Sequence, residues 1–71
     1  MQEHQFGIGE TLALDYLADR PDLNGELVTV TDFREDGEFG KSYFIQSLTN
    51  EEVNIEYEWI YEYRLRRVNF N

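Results

Sequence analysis

Glu26-Leu27-Val28-Thr29-Val30-Thr31-Asp32-Phe33 is the stretch on which the fold turns. β-branched residues fill its middle, and they fit a pleated, half-buried surface better than a helix. The stretch predicts a strand with Val28 and Val30 on one face and Leu27, Thr29, Thr31 and Phe33 on the other. A slip of one residue would exchange the faces. The valine face is read as inward, with Asp32 emerging at the end. Glu35-Asp36-Gly37-Glu38-Phe39-Gly40 then supplies acids and two glycines. Lys41–Leu48 returns as a strand in which Tyr43 and Ile45 oppose Phe44 and Gln46, so the two strands form a hairpin.

Upstream, Glu10–Tyr16 alternates, with Leu12, Leu14 and Tyr16 on one side and Thr11, Ala13 and Asp15 on the other. This predicts the first strand. Gly7-Ile8-Gly9 gives a flexible entry, with Phe6 or Ile8 closing one end of the core. Leu17–Gly25 carries Asp19, Pro21, Asp22 and Asn24-Gly25, all turn residues, and reads as a long loop from which Leu17 and Leu23 tuck inward. Downstream, Thr49-Asn50-Glu51-Glu52 reads as a turn. Val53, Ile55, Tyr57 and Trp59 then alternate with Asn54, Glu56 and Glu58 as a fourth strand with one wet face. Ile60–Val68 is ambiguous, because Ile60, Tyr61, Leu65 and Val68 also suit one face of a helix. A single helical turn followed by a short closing strand is preferred to a terminal amphipathic helix. The expectation is one domain over 1–71, mainly β, with five strands closing a small barrel.

Composition bounds the function. Seventy-one residues leave room for one core, and a core of this size seldom leaves more than about 3–5 kcal/mol of net stability. Cysteine is absent, which excludes disulfides and thiolate metal sites and suits a reducing cytoplasmic compartment. The single histidine, His4, sits in a polar stretch. No signal peptide or apolar span is visible, so a soluble protein without membrane contact is expected. Fifteen acids against six bases give a formal charge of −9, while 41% hydrophobic residues are too many for a disordered acidic tail. The chain reads as a folded polyanion.

The order of these features is a glycine-acid entry, a strand, a long loop and Asn24-Gly25-Glu26. A valine-rich strand, an acidic hairpin, an aromatic strand and a short turn before a leucine follow. This order resembles the small SH3-like barrels, among them Tudor-like, KOW-like and phage or bacterial adaptor proteins. The resemblance covers nearly the whole chain and implies binding of a protein, peptide or nucleic acid, with a phage origin by analogy. Ala13-Leu14-Asp15-Tyr16 is similar to the opening of peptide-binding SH3 domains, whose aromatics line a groove for polyproline helices. The tryptophan pair of that pattern is missing, since Trp59 is the only tryptophan.

Catalytic and metal readings fail on spacing. A calcium loop starting at Asp32 would need an oxygen ligand where Arg34 stands and a bidentate glutamate where Tyr43 stands. Nothing desolvates the carboxylate pairs Glu51-Glu52 or Glu56 and Glu58, and nucleophilic catalysis lacks its parts. A noncatalytic module without cofactor is expected. Its candidate binding residues are Glu26, Asp32, Glu35, Asp36, Glu38, Glu51, Glu52, Glu56 and Glu58, with Tyr61 and Tyr63 as exposed rings. An acidic surface of this kind would dock on a protein with a basic surface, in its sharpest form mimicking DNA before a DNA-binding protein. Two other classes stand beside it: a nucleic-acid-binding barrel using Tyr61, Tyr63, Arg64, Arg66 and Arg67, and an assembly subunit with an exposed strand edge. The charge of −9 argues against the former.

Overall fold

The computed structural model describes residues 5–36 and 40–68. Five strands, β1 (Thr11–Leu14), β2 (Leu27–Asp36), β3 (Gly40–Gln46), β4 (Trp59–Tyr61) and β5 (Leu65–Arg67), form one antiparallel sheet in the order β4-β3-β2-β1-β5. A 3-10 turn at Pro21–Leu23, a short helix α1 (Glu51–Glu56) and a second 3-10 turn at Glu62–Arg64 complete the regular elements. The protein is mainly β, and the helical turn before a short final strand is present as the sequence predicts. Among the described residues no ladder joins β4 to β5.

The valine face does point inward: Val28, Val30, Tyr43 and Ile45 are buried beside Leu12, Leu14, Val53, Ile60 and Leu65. Leu17 and Leu23 tuck under the sheet, and of the two entry residues Phe6 is buried while Ile8 stays exposed. The loop between β1 and β2 is closed at its neck. Gly25 N–H donates to Leu14 C=O at 2.7 Å, and Leu17 N–H donates to Asn24 Oδ1 at 3.0 Å. Gly25 sits at φ +92°, a left-handed conformation that favours a residue without Cβ.

One extra residue, Thr31, bulges between the Val30–Ile45 and Asp32–Phe44 pairs of β2 and β3. The bulge shifts the alternation, so Asp32 is exposed while Phe33 reaches the buried Tyr43 ring edge-on, with centroids 6.0 Å apart. Tyr43 is the polar hub of the core. Its hydroxyl accepts from Gln5 N–H at 3.1 Å and Phe6 N–H at 3.2 Å, and donates to Glu62 Oε2 at 2.5 Å. The N-terminal segment is thereby fastened to the second 3-10 turn across the core.

Two expectations are corrected. The fourth strand is shorter and later than the alternation of Val53–Trp59 predicts, because α1 occupies Glu51–Glu56. Asn50 caps that helix by accepting from Glu52 N–H at 3.1 Å, and Glu51 and Glu52 lie in its acid-favouring first turn. Asn54 ties the helix to the end of β3: its Oδ1 accepts from Ser47 N–H at 2.7 Å and its Nδ2 donates to Ser47 C=O at 2.8 Å. Tyr16 does not join Leu12 and Leu14 inside. It takes φ 55°, ends the strand and stands 71% exposed.

Candidate protein-interaction surface

The ion pairs divide the carboxylates into two groups. Arg20 fans out to Asp22 at 2.9 Å, Glu52 at 2.6 Å and Glu56 at 3.1 Å, linking the β1–β2 loop to α1. Arg64 meets Asp19 at 3.6 Å, Arg66 meets Asp15 at 3.3 Å and Arg67 meets Glu10 at 3.1 Å. The C-terminal arginines therefore spend their charge on acids that flank β1, Glu10 before it and Asp15 and Asp19 after it. Glu26, Asp32, Glu35, Glu51 and Glu58 form no ion pair among the described residues. Glu52 and Glu56, also among the expected binding residues, pair with Arg20 while their side chains stay exposed. Glu38 and the carboxylate of Asp36 lie outside the described residues.

Three of the unpaired acids gather around one end of the sheet. Glu51 and Glu58 border a shallow hollow of about 370 Å³ with Thr31, Phe44 and Asn54. Asp32 stands across the ladder from Phe44, next to Thr31. Glu35 stands opposite Lys41 farther along the hairpin without pairing to it. Glu26 belongs elsewhere, beside a hollow of about 400 Å³ bordered by Leu27, Thr29 and the 85% exposed Leu48.

Next to the acidic end runs a row of rings. Register places Phe44 opposite Trp59, and Trp59 meets Tyr61 edge-on with centroids 5.0 Å apart. Tyr61 lies nearly parallel to Tyr63, at 12° and 6.4 Å, and Tyr63 is 62% exposed. The Arg34 guanidinium lies 4.5 Å from the Trp59 ring centre, and that of Arg64 lies 5.5 Å from the Tyr63 ring centre. The Arg64 Nε–H also donates to Tyr63 Oη at 3.0 Å. Sequence reasoning singles out Tyr61 and Tyr63 but not Trp59, Phe44 or Arg34. The outward direction of Arg34 follows from the bulge, which leaves no mark in the hydrophobic pattern, whereas that of Phe44 follows from the plain alternation of β3. Tyr57 is buried, and its hydroxyl donates to Asp19 Oδ2 at 3.0 Å.

Electrostatics follow these contacts. The Tyr57 hydroxyl, then backbone hydrogen bonding and the Arg64 charge, hold the Asp19 carboxyl below its usual range. Arg20 does the same for Asp22, and the Gly7 N–H with Arg67 does so for Glu10. Burial, then the Asp19 carboxylate, pushes the Tyr57 phenol up. Among the described residues no group of three His, Asp or Glu side chains could hold a metal ion. No helix among them is long and apolar enough to cross a membrane.

The chain matches no known protein family, and neither characterised proteins nor solved structures give a significant match to it.

Proposed function

We propose that the chain is a noncatalytic protein-binding module, an SH3-like barrel whose acidic surface docks on a basic patch of its partner. In its sharper form the surface presents carboxylates where DNA presents phosphates, and so competes for a DNA-binding protein. The five antiparallel strands in the order β4-β3-β2-β1-β5, with a 3-10 turn between the last two, support the barrel reading. The observation that carries the function is the segregation of charge. Arg20, Arg64, Arg66 and Arg67 neutralise one set of acids, while Asp32, Glu51 and Glu58 stay unpaired at the aromatic end. Unpaired carboxylates keep their field for an incoming cation and steer its approach, which makes association fast and salt-sensitive.

The test compares two triple variants of equal net charge. One carries Asp32→Asn, Glu51→Gln and Glu58→Gln; the other carries Glu10→Gln, Asp15→Asn and Asp22→Asn. Each is titrated against a basic DNA-binding protein preloaded with a fluorescent duplex, and displacement of the duplex is read at several salt concentrations. The native protein is expected to displace the duplex. The first variant is expected to lose that capacity and the second to retain most of it. Equal loss in both would reduce the acids to a general solubilising charge, and no displacement by the native chain would refute the DNA-mimic form.

A further inference from the structure

The ring row ends in a cleft of about 190 Å³ between β4 and the second 3-10 turn, walled by Tyr57, Trp59, Ile60, Tyr61, Tyr63 and Arg64. Its chemistry is that of a cation acceptor. Three of the five arginines in this chain already rest on rings: Arg34 on Trp59, Arg64 on Tyr63, and Arg67 5.1 Å from the Phe6 ring centre. A carboxylate contacts two of the residues that line the cleft. Asp19 is held by the Tyr57 hydroxyl at 3.0 Å and approached by Arg64 only at 3.6 Å, while its side chain remains 60% exposed. An entering guanidinium therefore meets rings and an ionised acid together and competes there with Arg64, in a molecule whose formal charge of −9 attracts cations from solution.

We infer that this cleft seats an arginine side chain from a basic segment of the partner, with Tyr63 and Trp59 as its walls and Asp19 as its counter-ion. Arg64 holds the same place in the free protein and shares Asp19 or turns outward when the partner's arginine arrives. The inference rests on the protein-binding reading and adds the residue type that the partner must present. Arginine is preferred to lysine because its planar group stacks on a ring and still forks onto a carboxylate, whereas an ammonium does one or the other. A nucleic acid strand stacking on the same rings is the competing occupant, and the net charge opposes it.

The experiment uses three probes: a capped peptide of alternating glycine and arginine, its lysine counterpart, and a short single-stranded oligothymidine. Trp59, the only tryptophan, reports binding at the cleft by fluorescence, and amide spectra report binding anywhere. The arginine peptide is expected to shift Trp59 emission and to bind several-fold more tightly than the lysine peptide. Tyr63→Leu and Asp19→Asn should each weaken the arginine peptide about two- to five-fold, the value of an exposed cation-ring contact or ion pair, and Tyr63→Leu should barely change the lysine peptide. Asp19→Asn keeps an acceptor for the Tyr57 hydroxyl, so its effect reports charge rather than a loosened loop. Equal binding of both peptides, with Trp59 unmoved, would overturn the arginine seat and leave acidic docking standing. Failure of both peptides to bind at physiological salt would sink the docking reading itself. Oligothymidine that shifts Trp59 where the peptides do not would overturn both in favour of nucleic acid.

Discussion

Replacing Tyr43 by phenylalanine removes one oxygen from the centre of the protein and is expected to cost a large part of its stability. The buried Phe6 N–H loses the acceptor it has at 3.2 Å, whereas the Gln5 N–H keeps Glu62 Oε2 at 3.2 Å. An orphaned buried donor costs about 1–3 kcal/mol, and a hydrogen bond to a charged group contributes about 1.5–3 kcal/mol. Water reaching the half-buried Glu62 offsets part of this, leaving an expected loss of about 2–3 kcal/mol. A core of seventy-one residues seldom leaves more than about 3–5 kcal/mol in all, so the variant should keep only a small part of its stability and unfold at much lower urea. The same hydroxyl supplies a second, independent readout. Burial first, and Glu62 second, push its phenol from an ordinary 10 up to about 12. Because the folded value is raised, the contribution is complete below pH 10 and is lost as pH climbs through 12. Two pH units correspond to about 3 kcal/mol, absent from the phenylalanine variant. Urea unfolding followed by Trp59 fluorescence at pH 8, 10 and 11.5 should show the gap between the two proteins closing at the alkaline end. A gap below about 0.5 kcal/mol at pH 8, within the usual scatter of neutral surface changes, or one that stays constant with pH, would refute the reasoning.

Arg20→Met should lower the melting temperature in dilute buffer, and the deficit should vanish in 1 M sodium chloride, where exposed pairs with Asp22, Glu52 and Glu56 are screened. Asn54→Ala should destabilise by about 1–3 kcal/mol in chemical denaturation, since Ser47 N–H and C=O lose both partners. Asn54→Asp should fail for a different reason, a carboxylate oxygen set against Ser47 C=O, and should regain stability between pH 7 and 4 as that carboxylate protonates. The lowered carboxyls of Glu10, Asp19 and Asp22 contribute stability that is present above their ordinary range near pH 4 and lost as pH falls through their lower folded values. Thermal melts should therefore drop steeply below pH 4, and a profile flat down to pH 2 would contradict those contacts.

Much of the fold was legible because it rests on local patterns. The β-branched run places Val28 and Val30 correctly, turn chemistry at Pro21 and Asn24-Gly25 locates the loop, and Leu17 and Leu23 tuck in as their isolation among polar residues suggests. The misreading of Val53–Trp59 has a physical source. Val53, Ile55, Tyr57 and Trp59 alternate like a strand, yet Val53 and Tyr57 are also four apart, one turn of helix, and Ile55 is left 75% exposed. Asn50 followed by two glutamates was the available signal for a helix start. Of the candidate surface, the acidic residue types could be read but their pairing could not. Glu52 and Glu56 lie thirty-two and thirty-six positions from Arg20, a juxtaposition that only the folded topology creates.

The Thr31 bulge works like a vernier set into the middle of β2. Removing that one residue would restore an uninterrupted pleat and leave both halves of the hairpin facing as they do, because Val30 already pairs with Ile45 and Asp32 with Phe44. Keeping Thr31 but drawing it into the ladder would instead turn the outer half by a full side, with Asp32 driven against the Tyr43 ring and Phe33 away from it. Because the extra residue decouples the two halves, the outer part of the hairpin can be re-aimed in evolution by moving a bulge, with no change to the apolar residues that hold the sheet together.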